Sequence, residues 1–599
     1  MSQPAPAASR VIDAAARAFQ GGDAARAKAI LVEGLRASPR DGDLLRTLAR
    51  VHALLGEQAA GADVLRRAAG AYPDDAALQR DAADALVLAG APDDALAILD
   101  RAPAHDALAF ECRARAMLAL DRPEGVRAAL EGMTRAAPDA PGAHCRAGAM
   151  HAQLGQAPEG VALLRRALGR LPDDPDILET LCYVMNFDPA TDAAEHAALH
   201  RRLGEVVTAM GPGAILPFAN TRDPERPLRV GFVSGDLRFH ACAFFLAGLV
   251  ASLDPARAQP ILYANNEPDE TTANLASIAP LREIRTLRDD DLEDLVRADG
   301  VDVLVDCNGW TGEHRLRAFA RRLAPVQCTY LGYPNTTGLP AMDARLVDAV
   351  TDPPGAEAQC SERVVRLPGC FLSYAVMPDV PEPAPSAYLR GHAGAPTFAC
   401  FNRVAKTNPR VLGLWARVLA SLPGARLLMK TEPTPGLDAL VRRAWTNAGG
   451  TPAALVFTPF EPDPRAHLAA YHHADVSLDP FPYAGTTSTV ESLLMGVPVV
   501  TRDGGTHRSR VGASLLGSAG LADLVAPDDA TYVARAAALA QDRARLASLR
   551  RTLRDAVRHG PIGDHAAHAR GFEGALRDLW RAWCGRAGPG AARAWGQGA

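Results

Sequence analysis

The N-terminal part of the chain, over residues 1–185, repeats a pattern of prolines and glycines, and this repetition constrains the fold more than any other feature of the sequence. One series recurs at nearly constant spacing, at Pro39, Pro73, Pro103, Pro138 and Pro172. A second series keeps the same spacing, at Gly22, Gly56, Gly90, Asp121 and Gly155. Small and apolar residues return in steps of three and four on both sides of each glycine, which predicts two amphipathic helices per repeat.

This spacing matches the tetratricopeptide repeat, whose period is about 34 residues. The glycine lets the chain leave the first helix with a positive φ, and the proline prevents the second helix from continuing. A single helical hairpin cannot bury its own apolar face, so about five hairpins should stack into a curved solenoid with a concave groove. We predict a repeat array over residues 1–185 whose groove binds an acceptor peptide or protein. The alternative is a spacer or an oligomerisation surface.

The periodicity changes after the repeats. A further helix and a proline-rich joint precede Leu228, after which short β-branched runs alternate with helical stretches, as in parallel βαβ units. A proline-rich linker at residues 379–386 interrupts this pattern, which then restarts. The predicted segments are a helical linker at 186–227, a first α/β lobe at 228–380, a second lobe with C-terminal helices at 386–585, and a disordered tail at 586–599. Open α/β sheets bind ligands at the carboxyl ends of their strands, so we expect the site in the cleft between the lobes.

Composition narrows the class of protein. A net charge of -5 over 599 residues does not provide the basic surface that nucleic-acid binding needs. The ten cysteines are scattered singly without a CxxC pair, which favours a reducing compartment. No run reaches the roughly 20 apolar residues of a membrane span, and the N-terminal segment lacks an apolar signal core. We therefore expect a cytoplasmic protein with no nucleic-acid partner and no membrane span.

Four longer sequence runs in the two lobes are characteristic enough to compare with a known family. They are LRVGFVSGDLRFHACAFFL (228–246), DVLVDCNGWTGEHRLRAFARRLAPVQCTYLGYPNTTGLPAMD (302–343), FACFNRVAKTNP (398–409) and ADVSLDPFPYAGTTSTVESLLMGVPVVTRDGGTHRSRVGASLL (474–516). In this order, after a repeat array, they resemble the O-GlcNAc transferase and SPINDLY family. The resemblance implies an α-helical tetratricopeptide solenoid followed by an α/β GT-B glycosyltransferase with two Rossmann-like lobes. It also implies a nucleotide-sugar co-substrate, no metal or other cofactor, and transfer of the sugar to Ser or Thr hydroxyls of proteins.

The catalytic candidates lie after the first strand of each lobe. His240 follows the first strand of the first lobe, and an imidazole there could accept the proton of the acceptor hydroxyl or position the sugar. Lys406 follows the first strand of the second lobe, where a fixed ammonium could neutralise the leaving phosphate. The resemblance assigns both residues to catalysis. Arg403 replaces the family's Gln and could add a second cation near the phosphates, and Asp302 stands where the family has a second His.

The donor-binding candidates are in the run PYAGTTSTVESLLMGVP. Gly485, Thr486, Thr487 and Ser488 lead into a helix expected to begin near Thr489, whose free N–H groups and hydroxyls suit a phosphate. Glu491 could accept both ribose hydroxyls, as the resemblance implies; alternatively, Ser488 and Glu491 form a capping box. The resemblance also places His467 near the nucleobase. His467, His472 and His473 do not share one helical face, which argues against a metal site.

Other functions remain open at this level. The same fold could use GDP-fucose or a CMP-nonulosonic acid, with flagellin as the candidate acceptor. A protein of a different class, a scaffold with vestigial lobes whose repeats bind a partner, is the remaining alternative. The acidic run Asp289 to Asp291 could be mistaken for a metal-binding DxD motif, but it opens a predicted helix and is better explained as a solvated helix N-terminus.

Overall fold

The computed structural model describes residues 7–21, 23–102, 106–211, 215–377 and 379–585. Gly22, Pro103 and the tail at 586–599 lie outside these ranges, so the predictions made for them stay predictions. The chain divides into two compact units. The first comprises the chain up to Met150 together with Thr431–Arg443, and the second comprises the rest. Within the described ranges, no helix combines the length and apolar character that crossing a membrane requires.

The repeats are five helical hairpins. Their helices are α1 (Ala7–Gln20), α2 (Ala24–Ala37), α3 (Gly42–Leu54), α4 (Gln58–Ala71), α5 (Ala76–Leu88), α6 (Pro92–Arg101), α7 (Ala107–Ala119), α8 (Pro123–Ala136), α9 (Pro141–Gln153) and α10 (Ala157–Arg170). Pro39, Pro73, Pro138 and Pro172 each follow the second helix of a hairpin by two positions, as predicted.

The turns inside the hairpins have the backbone that the sequence predicts. Gly56, Gly90 and Gly155 have positive φ between 73° and 79°. Asp121, which stands in the place of the glycine in its repeat, has a φ of 55°. An aspartate tolerates this left-handed conformation better than most non-glycine residues, and the turn geometry is therefore retained without glycine.

A sixth helical pair belongs to the core of the second unit. It consists of α11 (Pro175–Val184) and α12 (Ala193–Ala209). Leu178 and Leu203 from these helices are buried in one cluster with Trp310 and Phe319, which come from the α/β part of the chain. The helical pattern of the repeats therefore continues into a pair of helices that fold against the first lobe.

The first lobe contains a seven-stranded parallel sheet. Its strands are β1 (Leu228–Ser234), β2 (Ala258–Ala264), β3 (Leu281–Glu283), β4 (Val303–Asp306), β5 (Val326–Thr329), β6 (Ala344–Asp348) and β7 (Arg363–Leu367), and its helices are α13 (Ala241–Ser252), α14 (Glu270–Ile278), α15 (Asp289–Ala298) and α16 (Leu316–Phe319). The strand order is β3-β2-β1-β4-β5-β6-β7. The apolar runs predicted five of these strands; the very short β3 and the partly exposed β7 lack such a run.

The second lobe repeats this topology with six parallel strands. They are β8 (Thr397–Cys400), β9 (Arg426–Lys430), β10 (Leu455–Thr458), β11 (Val476–Leu478), β12 (Val499–Arg502) and β13 (Val525–Ala526), with α17 (Pro409–Ala420), α18 (Leu437–Asn447), α19 (Pro464–Ala469), α20 (Thr487–Leu494) and α21 (His507–Ser518) between them. The order is β10-β9-β8-β11-β12-β13. Helical repeats followed by two parallel α/β lobes confirm the predicted fold class.

The C-terminal helices connect the two lobes. They are α22 (Asp529–Gln541), α23 (Arg543–His559) and α24 (His565–Cys584). Although α24 follows the second lobe in sequence, it packs against the first: Phe572 stacks on Phe232 of β1 at 6.0 Å between ring centroids. The backbone N–H of Asp254 donates to the Glu573 carboxylate at 2.7 Å. The last helix therefore fastens the end of the chain to the first lobe.

Candidate active site

Each sheet reverses its strand order at one place, and the predicted site residues gather there. The reversal lies between β1 and β4 in the first lobe and between β8 and β11 in the second. At such a point the loops that leave the carboxyl ends of the strands diverge and open a crevice for a ligand. His240 follows β1, Lys406 follows β8, and Gly485 follows β11. The sequence therefore located candidates at both switch points.

His240 is the N-cap residue of α13. Its Nδ1 accepts a hydrogen bond from the backbone N–H of Cys242 at 3.3 Å and lies 3.5 Å from a carboxylate oxygen of Asp236. The side chain remains 43% exposed within the cleft. Desolvation by the surrounding protein lowers the pKa of His240, which Arg238 and Arg403 lower further, while Asp236 opposes them. A neutral imidazole whose Nδ1 accepts a hydrogen bond carries its proton on Nε2.

Asn308, which the sequence analysis did not single out, holds the loop that carries His240. Its Oδ1 accepts from the backbone N–H of Gly235 at 2.6 Å, and its Nδ2 donates to Asp236 at 3.1 Å. Because Asn308 follows closely after β4, it ties the two strands at the switch point together. An Asn-Gly pair at the end of a buried strand was the available signal.

Lys406 ends a short 3-10 turn, Val404–Lys406, that follows β8. Its Nζ donates to the carbonyl oxygen of Ala484 at 2.8 Å and lies 3.9 Å from the centre of the Tyr483 ring. Burial lowers the pKa of Lys406 to about 8, although the Asp479 carboxylate favours the charged form. The ammonium is therefore fixed in the loop after β11, and it is protonated near pH 7.

Asp479 is the main residue of this site that the sequence analysis missed. It follows β11 and is buried; one carboxylate oxygen accepts from the N–H of Gly485 at 2.6 Å, and the other from the Thr501 hydroxyl at 2.6 Å. Burial raises the pKa of Asp479 to about 6, against the effect of Lys406. The charge of each of these two groups therefore favours the charged form of the other. An aspartate directly after a buried strand was the sequence signal.

The glycine before α20 is closely surrounded by side-chain oxygen atoms. A Cβ at Gly485 would lie 2.7 Å from both the Ser488 and Thr489 hydroxyl oxygens and 2.9 Å from Asp479. A larger residue would force these side chains to move, whereas glycine allows the close approach without rearrangement. The backbone N–H of Gly485 and the start of α20 thereby come together next to Lys406.

Helix α20 begins two positions earlier than predicted. It starts at Thr487 with Thr486 as the N-cap, whose side chain makes no capping hydrogen bond. Ser488 therefore lies inside the first turn, and its hydroxyl donates to Asn402 at 2.9 Å. The alternative of a capping box between Ser488 and Glu491 is wrong, because neither residue occupies the position that such a box requires.

Glu491 pairs with His467. The Nε2 atom of His467, on α19, lies 3.2 Å from a carboxylate oxygen of Glu491, and both side chains are largely buried. The His467 ring also contacts Phe401, with the ring centroids 6.1 Å apart. The two candidates for ribose and base recognition are thus brought together at the end of β8 and β10.

Arg403 links the two halves of the site electrostatically. It precedes the turn that holds Lys406, and its side chain is exposed. Its charge is among the causes that lower the pKa of His240, in the other lobe, and the pKa of Lys406. Arg403 therefore lies close enough to both His240 and Lys406 for its charge to act on each of them.

Asp302 does not belong to this site. It immediately precedes β4 at the amino end of the strand, opposite the carboxyl edge that carries the candidates. Its buried carboxylate accepts from the Arg226 guanidinium, from Asn220 at 2.8 Å and from the backbone N–H of Arg229 at 2.8 Å. Asp302, which stands where the family has a second histidine, instead anchors the chain that enters the first lobe.

The acidic run and the group of histidines that were considered as metal sites both have structural roles. The acidic run Asp289 to Asp291 forms the first turn of α15, as predicted, and Asp291 pairs with Arg288 at 3.1 Å. His472 Nε2 bonds to the carbonyl oxygen of Glu382 at 2.9 Å, away from the contact between His467 and Glu491.

Asp236, His240 and Cys242 could together hold a metal ion. One ligand atom from each lies within 4.8 Å of the other two. Carboxylate, imidazole and thiolate are a donor set suited to zinc. The prediction that the protein needs no metal therefore stays a prediction.

Comparisons with known proteins agree with this arrangement. The profile of glycosyl transferase family 41 matches residues 180–375 and 389–569. A probable UDP-N-acetylglucosamine–peptide N-acetylglucosaminyltransferase SPINDLY from Solanum lycopersicum is 36% identical over 423 residues, which cover 69% of this chain and 45% of that protein. Its counterpart from Arabidopsis thaliana is 37% identical over 394 residues, covering 64% and 43%. The matched part of the chain thus spans less than half the length of these curated relatives.

A solved structure extends the likeness to nearly the whole chain. An O-GlcNAc transferase mutant from Thermobaculum terrenum matches with a TM-score of 0.72 and 29% identity, covering 98% of this chain and 99% of that one. The match includes the repeats and both lobes. With a family profile that covers well over half of its residues, the chain belongs to glycosyl transferase family 41.

Proposed function

We propose that this protein transfers a sugar from a nucleotide-sugar donor to Ser or Thr hydroxyls of an acceptor protein. The observation that carries the proposal is the convergence of His240 from one lobe with Arg403, Lys406 and the start of α20 from the other. Neither lobe holds the full set. A reaction that joins an acceptor to a donor needs both partners at one cleft, and the arrangement suits that requirement.

The second lobe would bind the donor diphosphate. Breaking the bond to the sugar builds negative charge on the leaving phosphate, and fixed cations stabilise that charge. Lys406 supplies an ammonium, Arg403 supplies a second cation, and the N–H groups at the start of α20 supply a helix N-terminus. Asp479 keeps the Lys406 ammonium charged and the Gly485 loop in place.

Glu491 would accept the ribose hydroxyls. Its contact with His467 at 3.2 Å fixes the carboxylate, and the His467 ring, which lies against Phe401, would contact the nucleobase. Gly485, Thr486, Thr487 and Ser488 would surround the phosphates.

His240 would position the reacting groups by donating a hydrogen bond. Its Nδ1 accepts from Cys242, which leaves the Nε2 proton free to donate into the cleft. A side chain that must also act as a base would need an unprotonated nitrogen facing the acceptor. We therefore favour positioning over proton abstraction in the resting arrangement.

The proposal also names a donor and an acceptor. Relatives named for UDP-N-acetylglucosamine make that donor the first to test, with GDP-fucose and a CMP-nonulosonic acid as alternatives. The acceptor would dock on the tetratricopeptide array, and flagellin is the candidate. The protein would act in the cytoplasm without a metal.

Mass spectrometry of the acceptor tests the proposal. The purified full chain is incubated with each donor and with flagellin or a cell extract from a deletion strain, and intact masses are measured. We expect a mass increase of one glycosyl unit with a single class of donor, lost in Lys406→Ala. A protein that binds flagellin but shifts no mass with any donor would instead be a scaffold with vestigial lobes.

A further inference from the structure

Arg508 is a buried cation that the proposed reaction does not use. It is the second residue of α21, and only 2% of its surface is exposed. One guanidinium nitrogen lies 3.0 Å from Nδ1 of His196, on α12. The residue therefore sits where α12, the first lobe and the second lobe meet inside the second compact unit.

The histidine beside Arg508 cannot balance its charge. His196 Nε2 donates to the carbonyl oxygen of Cys182 at 2.8 Å, while its Nδ1 faces both Arg508 and the Asn335 amide nitrogen at 3.1 Å. Nδ1 must accept from these two donors, so the imidazole is neutral. Burial holds the pKa of His196 well below its ordinary value, in agreement with that arrangement.

No carboxylate forms an ion pair with Arg508 in the part of the chain that the structure describes, and its Nε has no hydrogen-bond partner there. Asp188 acts on it only through longer-range attraction, and burial lowers the pKa of Arg508 to about 10. Removing one charge from water without a partner is strongly unfavourable, and buried polar groups in native proteins are nearly always satisfied. Arg508 therefore calls for a counterion.

The cavity that Arg508 lines contains a second guanidinium group and a carboxylate, which pair with each other. Arg345 and Asp352 also line it and pair with each other at 3.2 Å, and the same aspartate accepts from His507 at 2.5 Å. Burial and Arg345 lower the pKa of His507, whereas Asp352 opposes them. The Asp352 carboxylate is therefore already shared between Arg345 and His507, and it makes no ion pair with Arg508. The cavity has room for a single particle of about the size of a water molecule.

We propose that this cavity binds one monoatomic anion, chloride under physiological conditions, which neutralises Arg508 at the junction of α12 and the two lobes. Because the cavity is about the size of a water molecule, it excludes a phosphate or a carboxylate group, and a halide is the common anion closest to it in size. The ion would hold the start of α21 against α12 and the first lobe.

The ion would also support the donor loop. The carbonyl oxygen of Arg508 accepts from the backbone N–H of Ala484 at 3.0 Å, and the carbonyl oxygen of Ala484 in turn accepts from Lys406. A neutralised Arg508 therefore stabilises the backbone that fixes the Lys406 ammonium. This link makes the anion a structural element of the second lobe, independent of which donor the protein uses.

Bromide replaces chloride and can be located by its anomalous scattering. Crystals of the full chain grown in bromide should show an anomalous peak in the cavity beside Arg508. In solution, the melting temperature should be about 2–5 °C higher in chloride or bromide than in gluconate at equal ionic strength, because a bound ion stabilises the folded state.

Two variants make the test specific. Arg508→Gln should remove both the bromide peak and the difference between chloride and gluconate. Arg510→Gln changes an arginine one half-turn away that is already paired with Asp503 at 3.3 Å, and it should leave both unchanged. A water molecule in the cavity of wild-type crystals in bromide, or equal melting temperatures of the wild type in all three salts, would overturn the proposal even if Arg508→Gln failed to fold.

Discussion

The two lobes share a strand order but treat their charged residues differently at the carboxyl edge of the sheet. In the second lobe, the half-buried Lys406 and the buried Asp479 interact, and each is hydrogen-bonded to the loop before α20. In the first lobe, His240 is 43% exposed, and its side-chain contacts are a backbone N–H at 3.3 Å and a carboxylate at 3.5 Å. One edge is rigid and preorganised, and the other is open.

This difference matches the two ligands that we propose. A nucleotide diphosphate is the same in every cycle, so fixed charges that need no rearrangement favour its departure. A protein acceptor presents many surfaces, and an open edge with a half-exposed imidazole can accommodate them. Substitutions in the second lobe should therefore impair donor binding and the chemical step, whereas substitutions in the first lobe should impair transfer alone.

The largest effect is expected for Lys406, the fixed cation of the second lobe. Lys406→Ala should reduce kcat by roughly two decades or more, because it removes charge stabilisation that is greatest in the transition state. The matched control is Lys430→Ala, which alters the lysine at the end of the neighbouring strand β9 and should keep near-normal kcat. Steady-state kinetics with a fixed donor measure both, and normal transfer by Lys406→Ala would refute the phosphate role.

Replacing His240, at the open edge of the first lobe, should have a smaller effect that lowers the rate of sugar transfer but not nucleotide affinity. His240→Asn keeps a side chain able to cap α13, so the fold is retained while the imidazole is lost. We expect kcat to fall by about 10- to 100-fold with little change in nucleotide affinity. Calorimetric titration with the nucleotide diphosphate provides the comparison. A parallel loss of nucleotide affinity would contradict the proposal that the second lobe binds the nucleotide and the first lobe accommodates the acceptor.

Nucleotide affinity should depend on pH through the second lobe. The pKa of Lys406 is lowered to about 8, so the free protein loses the ammonium as the pH rises through that value. Affinity should then fall by about tenfold per pH unit above that pKa, because the diphosphate needs the charged form. Titrations on both sides of the pKa measure the slope. The same slope in Lys406→Ala would assign the titration to another group.

Glu491→Gln should weaken donor binding moderately. The amide keeps the shape of the side chain but replaces one acceptor oxygen with a donor, which suits two ribose hydroxyls poorly. We expect the donor KM to rise by about tenfold, in the range for losing a hydrogen bond to a charged group. A companion measurement of kcat separates binding from chemistry. An unchanged KM would indicate that Glu491 only orders His467.

Chelation should have the smallest effect of all. If fixed cations and a helix end perform the role of a divalent ion, activity in EDTA should equal activity in buffer. The ligand set of Asp236, His240 and Cys242 makes this a sharp test, because a metal there would engage the residue of the open edge. Loss of activity that Zn²⁺, Mg²⁺ or Mn²⁺ restores would contradict a metal-independent mechanism.

Local patterns in the sequence predicted much of the fold. The repeat spacing predicted the hairpins, including a left-handed turn at Asp121 where glycine is absent. Apolar runs predicted the longer buried strands, since burial on both faces leaves a continuous apolar signal. The same runs could not reveal β13, because so short a strand carries no period. The sequence also could not reveal that α24 packs on the first lobe. An apolar helix face shows that the helix is covered, but it does not show which lobe covers it.

The sequence by itself determined which residues lie at the switch points. A buried strand ends where its apolar run ends, and His240, Lys406 and Gly485 follow strands that such runs define. Only the tertiary structure decided their surroundings. Asp479 beneath the Lys406 loop, Asp302 at the opposite edge and Arg508 without a counterion all depend on which chain segments meet. The sequence does not show whether an aspartate or an arginine anchors a loop, titrates or binds a ligand. Its burial and its partners decide this, and both depend on residues that are far apart in the chain.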